Sequence, residues 1–173
     1  MLEFTRQKSK LDSVNPRAEL HGTDTKLATD LKFSMKVSND VLSFFDPSLK
    51  SALYKPNDAA QGQLINEPGH LPSLKFPLMG SIKWGKEFAG YTLVVHYGVS
   101  GKEDIALSEC EVDGFKFDCQ DGGTVGVSFR VICHPDLDDM GRLCELIQRE
   151  VDITLEPPSA EQELQRELDE AAA

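Results

Sequence analysis

The clearest signal in this chain is strict alternation of apolar and polar residues. In LATDLKFSMKV, residues 27–37, Leu27, Leu31, Phe33, Met35 and Val37 share one face with Thr29, while Asp30, Lys32, Ser34 and Lys36 share the other with Ala28. A period of two is that of a half-buried strand. It returns in YTLVVHYGV (91–99), VDGFKFDC (112–119) and TVGVSFRVICH (124–134), and again in EVDITLEPP, where Val151, Ile153 and Leu155 point inward and Pro157-Pro158 end the strand. Between these runs lie the turn signals SGKE and QDGG, spaced about 8–12 residues apart as in sandwiches and barrels.

Helical signals are short. Asn39 or Asp40 is placed to cap a turn through VLSFF, and Asp46-Pro47 opens SLKSALY, which must stop before Pro56. Pro135 opens a further helix ending near Arg149, with Leu137, Met140, Cys144 and Ile147 expected on its buried face and Leu143 beside them. Residues 56–90, rich in Pro, Gly and polar side chains, predict a long loop, with LKFPL and SIKW as short edge strands. The fold class expected is α+β and β-rich. It is an antiparallel meander, a sandwich or partly open barrel, with two or three short helices and a C-terminal helical tail. Residues 1–156 form one domain and 157–173 an acidic tail, where Ser159 and Gln162 make a capping box.

CHPDLDDMGRLC, residues 133–144, gathers two cysteines, a histidine and three aspartates as a metal site would. The strand period separates them, because adjacent strand residues point to opposite faces and so Cys133 and His134 do not converge. The aspartates fall in a helical first turn, where negative charge opposes the helix dipole favourably. Cys144 is expected in the core, and no metal is assigned. His96 lies on the Thr92/Val94 face of its strand, opposite the tyrosines, and is expected to be a satisfied, partly buried histidine. Asp104 and Glu109 are expected to be solvated strand ends. No phosphate loop, dinucleotide fingerprint or nucleophile elbow occurs, and GGTVG (122–126) leads into a strand rather than the helix a phosphate loop needs. The expectation is therefore a non-enzyme without a cofactor.

Charge changes the picture. The net charge is −11, but residues 1–102 carry 13 Lys/Arg and 10 Asp/Glu whereas residues 103–173 carry 5 and 19. A basic and aromatic cluster lies in the first part. Lys83, Trp84 and Lys86 are followed by Phe88 and Tyr91, and Lys32 and Lys36 occupy the polar face of residues 27–37. Rings interleaved with lysines suit single-stranded nucleic acid, whose bases stack and whose phosphates take ammonium groups. Trp84 equally suits a cap on the core, since Trp is highly buried on average. At the other end Glu163, Leu164, Glu167 and Leu168 form an acidic helix with a thin apolar stripe, suited to docking on a partner protein. No run of about 18 apolar residues exists to span a membrane. The N-terminal segment lacks the apolar region of a secretory signal, so the expected location is a reducing cytoplasm.

NPRAE (15–19), LKFP (74–77), GGTVGVSFRV (122–131) and VDITLEPP (151–158), taken together, resemble blocks of small uncharacterised proteins encoded by bacteriophages and prophages. The resemblance implies a mobile-element origin and a bacterial cytoplasm, and brings no site residues with it. Two functions follow as expectations. One is a non-enzymatic accessory of phage DNA replication or recombination that contacts single-stranded DNA. The other is an acidic protein-binding inhibitor of a host defence or nuclease system. Exposed edge strands would also allow the chain to pair with a second copy.

Overall fold

The computed structural model describes residues 2–57, 69–98, 101, 103–160 and 162–163. Among the described residues nine strands form in chain order: β1 (Phe4–His21), β2 (Asp24–Ser38), β3 (Tyr54–Lys55), β4 (Ser73–Leu74), β5 (Ile82–Trp84), β6 (Phe88–His96), β7 (Ile105–Gln120), β8 (Thr124–Cys133) and β9 (Glu150–Glu156). Helices α1 (Leu42–Phe45), α2 (Leu49–Leu53) and α3 (Leu137–Glu145) are short. Strands β7, β6, β9, β1, β2 and β8 lie side by side, and β8 pairs back onto β7. Six antiparallel strands thus close into a barrel, with β5 added on β7 and a separate β3–β4 pair. Closure leaves the six strands no continuous open edge.

Closure depends on β7, which the sequence presents as two runs, DIALSE and VDGFKFDC. They form one strand of 16 residues bent by irregularities. Near Glu109, at φ 53°, the register against β6 slips, and at Gly114, at φ 63°, the register against β8 slips. An extra residue on one strand bends it and re-aims its pairing. The first part of β7 pairs with β6 and the second with β8.

The alternation of the sequence becomes inside and outside. Leu31, Phe33, Leu93, Val95, Val125, Val131, Ile153 and Leu155 are fully buried. Phe129 sits at the centre of a stack, 6.2 Å from Phe4, 5.7 Å from Phe33 and 5.8 Å from Phe115 between ring centroids. Phe45 of α1 packs edge-on against Phe115 and Phe117 at 4.9 and 4.7 Å. Tyr54 bolts the α2–β3 segment to the β7–β8 hairpin: its hydroxyl lies 2.9 Å from the Thr124 carbonyl and accepts the Gln120 N–H at 3.1 Å.

Three details differ from the sequence reading. The cap of the first helical turn is Ser38, whose hydroxyl accepts the Asp40 N–H, rather than Asn39 or Asp40. The face of α3 is turned. Leu143 and Leu146 are buried, whereas Leu137 is 81% exposed and Cys144 and Ile147 are also exposed, so Cys144 is not a core residue. Residues 4–21, for which no element was expected, form the longest strand.

One inward position is polar. Thr29 is fully buried on β2, and its hydroxyl has no hydrogen-bond partner among the described residues. A buried unpaired hydroxyl keeps its desolvation cost. Thr29→Val is therefore expected to raise unfolding stability by about 1 kcal/mol, read as a higher denaturation midpoint with an unchanged slope.

Candidate nucleic-acid interface

The site is built from outward positions of four barrel strands and β5. The ladder registers pair Lys10 with Ser34, Ser34 with Ser128, Ser128 with Lys116, and Lys116 with Lys83. A single row, Lys10–Ser34–Ser128–Lys116–Lys83, therefore crosses β1, β2, β8, β7 and β5. At about 4.8 Å per strand step, it spans about 19 Å. On one side runs a second row, Lys32–Arg130–Asp113, and on the other Lys36–Gly126–Asp118. The outward direction follows from the pleat, because Phe33, Met35, Phe115, Phe117, Val127 and Phe129 between these residues are buried. Lys32, Lys36, Lys83 and Lys116 make no ion pair among the described residues, and Lys10 has only a loose one to Asp12 at 3.8 Å.

Two adjoining grooves follow the row and share Lys116 and Ser128. One, of about 530 Å³, is lined by Lys8, Lys10, Lys36 and Ser34 among others. The second, of about 720 Å³, is lined by Lys32, Lys83, Trp84 and Arg130, and also by Asp12, Glu87 and Asp113. The structure thus brings Lys32, Lys83 and Trp84 together and places Lys36 in the neighbouring groove. It sends Lys86 elsewhere, with its ammonium 4.9 Å from the Phe88 ring centre. Trp84 serves two purposes. It leans on Phe45 at 6.3 Å and Phe117 at 6.4 Å, as a core cap does, and is half-buried while lining the groove. Glu163 is exposed, and Ser159 and Gln162 exchange the two hydrogen bonds of a capping box at 2.8 and 3.3 Å. Leu164, Glu167 and Leu168 lie outside the described residues.

Lys10, Lys116, Ser34, Ser128 and Arg130 were missed by the sequence reading. Each was legible as an outward residue between buried ones, but only the strand register assembles them. Arg130 has a role of its own. Its guanidinium grips Asp113 at 2.7 and 2.5 Å and reaches Asp30 at 3.4 Å. Asp113 is only 7% exposed, and its hydrogen bonds hold Arg130 still more firmly cationic. Carboxylate oxygens of Glu87, Glu111 and Asp113 lie within 4.8 Å of one another, a spacing open to a cation. Arg130 already sits against this group.

His96 on β6 is held at both nitrogens, Nδ1 at 2.7 Å from Asp104 and Nε2 at 2.8 Å from the Thr154 hydroxyl. Asp104, expected to be a solvated strand end, also accepts the Tyr97 N–H at 3.0 Å. The arrangement has the connectivity of an acid–base–hydroxyl triad. However, Thr154 is 7% exposed and its oxygen takes the Arg6 N–H at 3.1 Å, so it is covered and engaged rather than presented to a substrate. The group reads as a clamp on the segment before β7. His134, paired with Glu19 at 3.1 Å, and buried Cys133 diverge as the strand period requires, so the 133–144 stretch gathers no ligands.

No protein-family model matches this chain, and no curated protein or solved structure matches it either. No helix among the described residues is long and apolar enough to cross a membrane.

The clamp carries a pH dependence. The hydrogen bond from His96 lowers the Asp104 carboxyl below its ordinary range. A lowered folded-state value contributes stability above the unfolded aspartate value, about 3.9, and loses it as pH falls through the folded value. Asp104→Asn is expected to flatten the acid limb of the stability curve in that window, measured by denaturant midpoints across pH.

Proposed function

We propose that this chain is a non-enzymatic accessory protein that binds single-stranded nucleic acid on its lysine row. The setting proposed is DNA replication or recombination of a phage or prophage in the bacterial cytoplasm. The observation that carries the reading is the cross-strand row Lys10–Ser34–Ser128–Lys116–Lys83. Three ammonium groups and two hydroxyls on one line suit phosphates, which take charge from lysine and hydrogen bonds from serine. Its length of about 19 Å matches the backbone of about four nucleotides, the small end of single-domain site sizes. Trp84 offers a half-exposed ring beside the row, where a base can stack.

Exposed charges beyond about 10 Å are largely screened at ordinary ionic strength, so the row is opposed mainly by the carboxylates lining its own grooves, Asp118 and Glu150 in one and Asp12, Glu87 and Asp113 in the other. Most of the acidic excess, 14 Asp/Glu against 4 Lys/Arg, falls in residues 103–156, and residues 157–173 at the acidic end add 5 against 1. There the Ser159–Gln162 box starts a helical turn that leads to Glu163. We assign that end to a protein partner, with Leu164 and Leu168 as its apolar stripe.

Titration with oligo-dT, followed through the fluorescence of the chain's one tryptophan, tests the row. Three phosphate contacts predict a slope of log affinity against log salt of about −2. Lys116→Ala and Lys83→Ala should each weaken binding and shallow the slope by about 0.7, with unchanged thermal melts. Absence of salt-sensitive binding, or full binding by the double variant, defeats the reading.

A further inference from the structure

The groove beside Trp84 is not purely basic. Within about 720 Å³ it joins Lys32, Lys83 and Lys116 to the carboxylates of Asp12, Glu87 and Asp113. A surface that served phosphates alone would be weakened by such neighbours. Asp113 is held by Arg130 at 2.5 Å, and Asp12 has only its loose pairing with Lys10 at 3.8 Å. Glu87 is exposed and has no hydrogen bond or ion pair among the described residues. It lies three residues from Trp84, just after the strand that carries Lys83. The groove therefore offers a ring, an ammonium side and, at Glu87, a carboxylate without a hydrogen bond, which faces Arg130 and lies within 4.8 Å of those of Glu111 and Asp113.

We propose that this groove selects a base that presents an exocyclic amino group, cytosine foremost, with Glu87 as its acceptor. The inference rests on the single-stranded nucleic-acid reading above and names what that site prefers. An ionised carboxylate only accepts hydrogen bonds. Cytosine offers the N4 amino group as a donor, whereas thymine offers the O4 acceptor at the same place. With the phosphate on the Lys83–Lys116 side and the ring against Trp84, cytosine gains a bond at Glu87. Thymine instead faces a carboxylate with a carbonyl. The two pyrimidines differ little in stacking, so their comparison isolates this edge.

The experiment compares homo-oligomers of dC and dT of equal length at neutral pH and fixed salt, read through Trp84, with wild-type protein and Glu87→Ala. Glu87 is exposed, and an unchanged melting temperature will confirm that the variant folds. The expected result is about fivefold tighter binding of the dC oligomer, in line with one good base-edge contact, falling to near unity in Glu87→Ala. Equal binding of both oligomers by the wild type overturns the proposal and leaves the lysine row standing. A dC preference that survives in Glu87→Ala also overturns it. Binding of neither oligomer removes the nucleic-acid reading and this proposal together.

Discussion

One strand paired along both edges holds this molecule together. β7 pairs with β6 from Ile105 to Val112 and with β8 from Glu111 to Gln120, and a backbone irregularity bends each ladder, near Glu109 in the first and at Gly114 in the second. Without it β8 and β6 would be the free margins of an open sheet. With it, the inward side chains of six strands enclose a single interior, stacked around Phe129 and closed by Phe45. Gly114 suits its place because a positive φ costs glycine little. The same bend sets Lys116 between Ser128 of β8 and Lys83 of β5, so the outer row of cations is a by-product of how the interior is sealed.

Charge is sorted by position rather than by total. Arg130 is consumed in holding Asp113 and facing Glu111 and Glu87, and Arg17 in bridging Glu19 and Asp30. The arginines named here, whose planar forks suit paired carboxylates, thus do structural work. The lysines of the row are left as point charges toward solvent. That division explains why a chain with 29 acidic and 18 basic residues still presents a face of uncommitted ammonium groups.

Much of the fold was legible because β8 keeps the period of two throughout, and β2, β6 and β9 keep it over most of their length, and a buried face leaves little freedom in which residues turn inward. The long strand β1 was hidden because its register slips between Phe4 and Gln7 and again between Leu11 and Ser13. Each slip resets the alternation, and FTRQKSKLDSVNPRAELH has few apolar residues to mark it. β7 was read as two pieces for the same reason. The face of α3 was misjudged because nine residues pack mainly by their last turn, where Leu143 and Leu146 are held, leaving Leu137 outside. At the site, the outward lysines of β2 and β5 were visible from the pattern. Their alignment with Lys10, Ser128 and Lys116 was not, because pairing register depends on bulges that a one-dimensional pattern does not count.

The far end of β1 has a further consequence. β9 covers β1 only from Phe4 to Lys10, and β8 covers β2 only from Thr29 onward, so residues 16–21 and 24–28 form a ribbon of two strands projecting past the barrel wall. Such a ribbon invites neighbouring molecules to add a third strand. Pro16 stands on it with no N–H to offer, paired on one side with Thr29 and unpaired on the other. One missing proton on the open margin takes a donor from any intermolecular ladder that would run its length.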